Sequence, residues 1–313
     1  MRQRWTRPPA GPSWTSFVLT AAAGFTSTSL RPRGSIVLEG FYLDGGGGGG
    51  TITTILPRRL APPGRLAVPR FAVILPAAGK SSRFRDPHYK KPFALLDGRA
   101  VWMHAAERFT SRADVVQTLL VIAPEDRERF AEKWAGNAAL MGVEVVEGGA
   151  ERSESVARAL ARVRPEAEYV AVHDAVRPCV ASVWIDAVFA AAVRSGAAIL
   201  AVPVTGTLKR VARDQTIQET VPRDQLWEAQ TPQVFRRDWL IAAYARRSGP
   251  PATDDAQLVE RYGHKVAVVT GSPLNLKITT QEDLRIAAAL LRLLPQPKLS
   301  TPAHPFADDD LWR

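Results

Sequence analysis

From residue 71 onward the chain alternates between two hydrophobic patterns. Short continuous apolar runs, rich in Val, Ile, Leu and Ala, recur at 71–75, Val115–Ile122, 143–146, Tyr169–Val172, Ala197–Pro203 and 265–269. Such runs read as strands buried on both faces, the form strands take in parallel sheets. Between them, apolar residues fall near helical spacing over 99–110, 124–137, 156–163, 184–194, 238–247, 256–262 and 281–294. Strands alternating with helices predict an α/β fold, with a Rossmann-like, mainly parallel sheet covered by helices on both faces. One stretch breaks the alternation: residues 207–222 mix polar and β-branched side chains around Arg213-Asp214 and read as a hairpin, a β-arm protruding from the main sheet.

The two ends show neither pattern. Residues 1–70 contain Pro-Pro, Ser/Thr clusters and the hexaglycine 45–50, and read as a tail with a flexible linker. Three readings of that tail stay open: a disordered extension, an Arg- and Ser/Thr-rich transit peptide, and a weak secretory core at 17–25. Residues 295–313, with their Pro and Asp, read as a disordered tail. The expected organisation is a tail to 70, one α/β domain over 71–294 carrying the arm, and a short C-terminal tail.

Charge and composition narrow the function classes only after they are located. The 313 residues carry a net charge of +10. Residues 1–70 hold nine Arg, no Lys, and only Glu39 and Asp44, so +7 of that charge belongs to the tail. The basicity therefore gives no reason to expect specific nucleic-acid binding by the folded part. A single cysteine, Cys179, excludes an intramolecular disulfide and a multi-Cys zinc site, and reads as a small buried residue. The five His are scattered, and His104 reads as a packed or capping residue. No apolar stretch reaches the ~18 residues of a spanning helix, so no membrane partner is expected.

Candidate chemistry clusters at strand ends. The first strand opens into Pro76-Ala77-Ala78-Gly79, small residues that let backbone N–H groups approach a ligand. Lys80, Ser81, Ser82, Arg83 and Lys90-Lys91-Pro92 follow, enough donors and cations to cradle a polyphosphate. An ordinary basic surface loop would look the same by composition. It is not a Walker loop, which needs Gly where Ile74 stands, and no Gly-x-Gly-x-x-Gly is present. Gly148-Gly149 with Arg152, Ser153 and Ser155 ahead of the helix at 156 reads equally as capping or as an anion site. Asp174, in the run His173-Asp174-Ala175-Val176-Arg177-Pro178 after a strand, could cap a helix or hold Mg²⁺ on a nucleotide's phosphates. Thr253-Asp254-Asp255 reads as a cap for the helix at 256.

Pro76-Ala77-Ala78-Gly79-x-x-x-Arg83 followed by Lys91 resembles the signature loop of nucleotidyltransferases that activate sugar phosphates. The variant is similar to that of the 2-C-methyl-D-erythritol 4-phosphate cytidylyltransferases of isoprenoid biosynthesis. Gly149-x-x-Arg152-x-x-Ser155, the His173–Pro178 motif, Leu226-Trp227-x-x-x-Thr231-Pro232-Gln233-x-Phe235 and Asn275-x-Lys277-x-Thr279 fit the same family in order, over roughly residues 70–293. The resemblance implies transfer of CMP from CTP to methylerythritol phosphate, with ribitol 5-phosphate as the alternative acceptor. A non-catalytic nucleotide- or nucleic-acid-binding protein is the alternative of another class.

By the same resemblance Arg83, Lys91, Arg223 and Lys277 are the catalytic cations. Pro76, Ala77, Ala78, Gly79, Ser81, Gly149, Arg152, Ser155 and Ala175 contact the nucleotide. Asp174, Arg177, Thr207, Arg223, Thr231, Thr253 and Thr279 contact the polyol phosphate, and Asp174 holds Mg²⁺ or another divalent cation. The 207–222 arm implies a homodimer, and the reaction implies a cytoplasmic protein, or a plastid one if residues 1–70 are a transit peptide. Two positions depart from the family's pattern: Ser81 stands near where a second Gly is usual, and Ala150 where an acidic residue is common.

Overall fold

Strand β1 (Phe71–Pro76) shows why the fold closes around it. Phe71, Val73 and Leu75 enter one core, Ala72 and Ile74 a second, and all five are buried. A strand that feeds two cores must be covered on both faces, and each large side chain so buried contributes about 1.5–3 kcal/mol. The computed structural model of the chain describes residues 68–79, 84, 89–246 and 250–295. The tail assigned to 1–70 lies outside the described residues up to 67, as does the C-terminal tail from 296.

After β1 come a two-residue pair, β2 (Leu95–Leu96) and β3 (Arg99–Ala100), then α1 (Val101–Thr110) and β4 (Val115–Ile122). Next follow α2 (Arg127–Leu140), β5 (Val143–Glu147), α3 (Arg152–Leu160), β6 (Tyr169–Val172), α4 (Ser182–Ser195) and β7 (Ala197–Pro203). The arm is β8 (Leu208–Val211) with β9 (Ile217–Val221). Then β10 (Trp227–Arg236), α5 (Arg237–Ala245), α6 (Asp255–Arg261), β11 (Ala267–Thr270) and α7 (Gln281–Leu291) complete the order. The main sheet runs β11-β7-β10-β6-β1-β4-β5, and only β10 pairs antiparallel with its neighbours.

On one face α1, α2 and α4 supply Trp102, Phe109, Phe130, Trp134, Ile185 and Phe189 to the core. On the other, α3, α5 and α6 supply Val156, Leu160, Leu240, Tyr244 and Val259. The chain passes outward from β1 through β4 to β5, then returns to place β6 on β1's other side. That reversal opens a crevice beyond the carboxyl ends of β1 and β6, where open α/β sheets bind ligands.

The arm is a separate two-stranded sheet, as its pattern predicts. Among the differences from expectation, two bear on the site. The sheet gains β10, a strand that the hydrophobic pattern does not show because its centre is Gln-Thr-Pro-Gln, polar and proline-bearing. Helix α3 starts at Arg152, four residues before the expected 156, and Glu154 reaches back to accept the Ala150 N–H at 2.9 Å, just ahead of the helix. Arg152, Ser153 and Ser155 therefore lie inside the helix rather than ahead of it.

Candidate active site

At the end of β1, the Ala77 N–H donates to the Val121 carbonyl at 2.7 Å, holding the turn against β4. Ala77, Ala78 and Gly79 then line an open cavity of about 310 Å³. The opposite wall is the turn into α3. A Cβ on Gly148 would stand 3.0 Å from the Ala78 Cβ and 2.6 Å from Ser155 Oγ, so the two loops meet closely only because that residue is Gly. Gly149 donates its N–H to Ser155 Oγ at 3.1 Å, and Arg158 holds the Gly148 carbonyl at 2.8 Å. These bonds set the start of α3 so that Arg152 and Ser155 line the cavity. Ala150 also lines it, with its N–H already covered by Glu154.

Asp174 follows β6 and is only 8% exposed. Lys277 Nζ stands 2.9 Å from its Oδ2, Arg177 Nε 3.5 Å from Oδ2, and Arg152 3.9 Å from Oδ1. Burial alone would raise its pKa. The charges of Lys277, Arg152 and Arg177 outweigh that cost and hold the carboxyl far below the usual carboxylate range. Arg152 in turn pairs with the fully buried Asp255 at 2.7 Å, and Asp255 accepts the Tyr244 hydroxyl. Burial would depress the Arg152 pKa, but Asp255 and Asp174 carry it above its ordinary value.

Behind the carboxylate lies a hydrogen-bond chain that fixes its backbone. The Asp174 N–H donates to Thr231 Oγ1 at 3.0 Å, and Thr231 Oγ1 lies 3.1 Å from His173 Nδ1. His173 Nε2 lies 3.0 Å from the Arg177 carbonyl. A carbonyl only accepts, so Nε2 carries the proton and Nδ1 accepts from the threonine hydroxyl. Asn275 braces the other side, its side-chain amide donating to the Thr231 carbonyl at 2.9 Å while its backbone carbonyl accepts from Arg177 at 2.7 Å. Gln233 accepts the N–H groups of Asp255 and Ala256, tying α6 to β10. These bonds account for a polar strand inside a core: its buried amides and hydroxyls are paired.

The structure thus brings together Pro76, Ala77, Ala78, Gly79, Lys91, Arg152, Ser155, Asp174 and Lys277 around one cavity. Gly149 supports that wall through Ser155. Ala175 is fully buried, and Arg177 and Thr231 are buried braces of Asp174. Thr279 bonds Asp283 at the start of α7, and Thr253 is exposed before α6. Thr207 and Arg223 are exposed at the base of the arm, Arg223 bonding the Thr205 carbonyl. Ser81 and Arg83 lie outside the described residues. Cys179 is buried as expected, and burial pushes its thiol up to about 11.

Sequence reasoning gives His173 no role beyond its motif and reads Asp255 as part of a helix cap. The second was signalled by the pair Asp254-Asp255: Asp254 alone caps α6, accepting from Gln257 at 3.0 Å, which leaves its neighbour for another task.

Chemically, three cations and a turn of small residues face one ionised carboxylate. Such a cavity neutralises and orients a polyanion. His173 offers no base, since both its nitrogens are engaged and burial lowers its pKa from 6.5 to about 4. An unfolded His takes a proton below about 6.5 while the folded one stays neutral, so the unfolded state binds more protons in that window. Stability is therefore expected to fall as pH drops from 6.5 toward 4, by roughly 3 kcal/mol at the lower end. Denaturant titrations across that range should show the decline, with a flatter limb in His173→Gln; an equal slope in both would assign the acid limb to other groups.

Comparison with known proteins gives a consistent match. Residues 71–293 match the IspD family model, described as 2-C-methyl-D-erythritol 4-phosphate cytidylyltransferase. The chain is similar to a protein of that name from Rhodopirellula baltica, 49% identical over 231 residues, covering 70% of this chain and 94% of the relative. Another from Solibacter usitatus is 41% identical over 238 residues, covering 71% and 96%. A crystal structure of a 2-C-methyl-D-erythritol 4-phosphate cytidylyltransferase from Thermus thermophilus superposes with a TM-score of 0.59 at 37% identity, covering 71% of this chain and 99% of that one.

Proposed function

The chain belongs to the IspD family of 2-C-methyl-D-erythritol 4-phosphate cytidylyltransferases, and from that membership we propose how its cavity performs the reaction. The enzyme transfers CMP from CTP to 2-C-methyl-D-erythritol 4-phosphate, a step of isoprenoid biosynthesis. The substrate's phosphate oxygen attacks the α-phosphorus, the bond to the β-phosphate breaks, and pyrophosphate leaves with the electron pair. The nucleophile is already an anion, so no general base is required. The site's task is in-line positioning and neutralisation of the charge that builds on phosphorus.

The observation that carries this reading is Asp174 paired with Lys277 and Arg152 in the cavity that Lys91 and the Pro76–Gly79 turn also line, with Arg177 buried behind it. Pro76, Ala77, Ala78, Gly79, Arg152 and Ser155 receive the nucleotide; Lys91 and Lys277 meet the α-phosphate and the departing pyrophosphate. Arg83 shares that task by family pattern alone. Release of pyrophosphate from CTP that begins only when methylerythritol phosphate is added supports the reading. Equal release without any acceptor would contradict it.

A divalent cation fits this donor set. Mg²⁺ is held by one or two carboxylates plus phosphate oxygens. Asp174 is ionised, and its Oδ1 lies outside hydrogen-bonding distance of Arg152 at 3.9 Å. Among the described residues no group of three His, Cys, Asp or Glu could hold a metal unaided, so substrate phosphates would complete the shell. The ion would add positive charge beside the phosphates. Asp174→Asn is expected to raise the Mg²⁺ concentration needed for half-maximal rate at least several-fold. An unchanged requirement would remove Asp174 from the metal assignment.

The arm completes the proposal. A two-stranded ribbon alone is marginal in water, yet Val211, Ile217 and, beside the arm, Trp227 are exposed. We assign the arm to a homodimer in which Thr207 and Arg223 enter the partner's cavity. Among the described residues no helix is long and apolar enough to cross a membrane; we assign the reaction to the cytoplasm, or to a plastid if residues 1–70 are a transit peptide.

A further inference from the structure

Lys90 and Lys91 are adjacent cations with different surroundings. Lys91 lines the cavity. Lys90 points to α2: its ammonium lies 2.8 Å from Glu125 and 2.8 Å from Asp126, in the turn that leads into that helix. Burial would lower the Lys90 pKa, but the two carboxylates outweigh it and raise it. Tyr89 lies under Arg129 at 4.8 Å and Lys133 at 5.6 Å, again on α2. The main chain is pinned as well, since the Lys90 carbonyl accepts the N–H groups of Phe93 at 2.9 Å and Ala94 at 3.1 Å. Phe93 stacks on Trp134 with ring centroids 4.9 Å apart. The backbone of Lys91 is thus fixed on one side by Lys90 and on the other by Pro92-Phe93, both anchored to a helix that Phe130 and Trp134 seat in the core.

We propose that Lys90, through Glu125 and Asp126, is a positioning residue that holds Lys91 at the reacting phosphate, a role that rests on the reading of Lys91 given above. Magnitudes separate positioning from stability. Glu125 is exposed, and a partly exposed ion pair adds little to folding. A small displacement of a catalytic cation, by contrast, costs on the order of a hundredfold per ångström in rate.

The test compares Lys90→Met, Lys90→Arg, the double variant Glu125→Gln/Asp126→Asn, Lys91→Ala and Lys90→Met/Lys91→Ala in the full chain, by kcat, KM for CTP and Tm. Lys90→Met and the double carboxylate variant should each lower kcat about tenfold or more, with KM changed less than about threefold and Tm within a few degrees. Lys90→Arg should restore most of the rate. In the Lys91→Ala background, Lys90→Met should add almost nothing, since there is no longer a side chain to position. A loss in Lys90→Met with none in the carboxylate variant would mean that Lys90 meets the phosphates directly, and would overturn the inference. Unchanged kcat in both, with Lys91→Ala impaired, would overturn the clamp alone. Near-normal kcat in Lys91→Ala would overturn the reading of Lys91 and the clamp with it.

Discussion

Replacing Lys91 with Ala is expected to lower kcat by about two to three orders of magnitude, the ~2.7–4 kcal/mol typical of losing one transition-state donor. The effect should fall on kcat rather than on KM for CTP. In the proposed assignment ground-state CTP keeps Lys277, Arg152 and the backbone of the Pro76–Gly79 turn, which line the cavity with Lys91, whereas the charge that Lys91 meets grows as the acceptor adds to phosphorus. Steady-state kinetics with both substrates varied will separate the two. A large rise in KM at constant kcat would make Lys91 a binding residue only.

The second large effect concerns assembly. Lys91→Ala and Arg223→Ala are each expected to be nearly inactive, though Lys91 lines the cavity and Arg223 stands exposed at the base of the arm. If Arg223 serves the partner's cavity, mixing the two variants under conditions of subunit exchange restores activity. Random pairing makes about half the dimers heterodimers, each with one intact site and one doubly damaged site, so roughly a quarter of wild-type activity should return. Mass spectrometry can confirm that heterodimers formed. Their presence without recovered activity would place Arg223 in its own chain's site or outside any site.

Much of the fold was legible because its strands announce themselves. Residues 71–75, Val115–Ile122, Tyr169–Val172 and Ala197–Pro203 are apolar runs that only a sheet covered on both faces can bury. Strand β10 was not legible, since Gln230, Thr231 and Gln233 are buried through hydrogen bonds to Ser272, Asp174, His173 and Asp254 that no periodicity encodes. The start of α3 was placed too late: Ser153 and Ser155 invite a cap just ahead of 156, whereas both lie inside the helix, and Glu154 bonds the Ala150 N–H before its first turn. For the site, the motifs located Lys91, Arg152, Asp174 and Lys277, which do converge. Their spacing could not show that Arg177 and Thr231 brace Asp174 from behind, or that Lys90 turns away from its neighbour toward Glu125 and Asp126.

The central claim is that this cavity joins a cytidylyl group to methylerythritol phosphate. The most direct measurement offers the full-length protein CTP, Mg²⁺ and either 2-C-methyl-D-erythritol 4-phosphate or ribitol 5-phosphate, and follows the products by ³¹P NMR. The account predicts pyrophosphate and a diphosphate-bridged cytidine product in equal amounts with methylerythritol phosphate, at a kcat/KM far above that with ribitol phosphate. Preference for ribitol phosphate, or CTP cleaved with no bridged product from either acceptor, would contradict it.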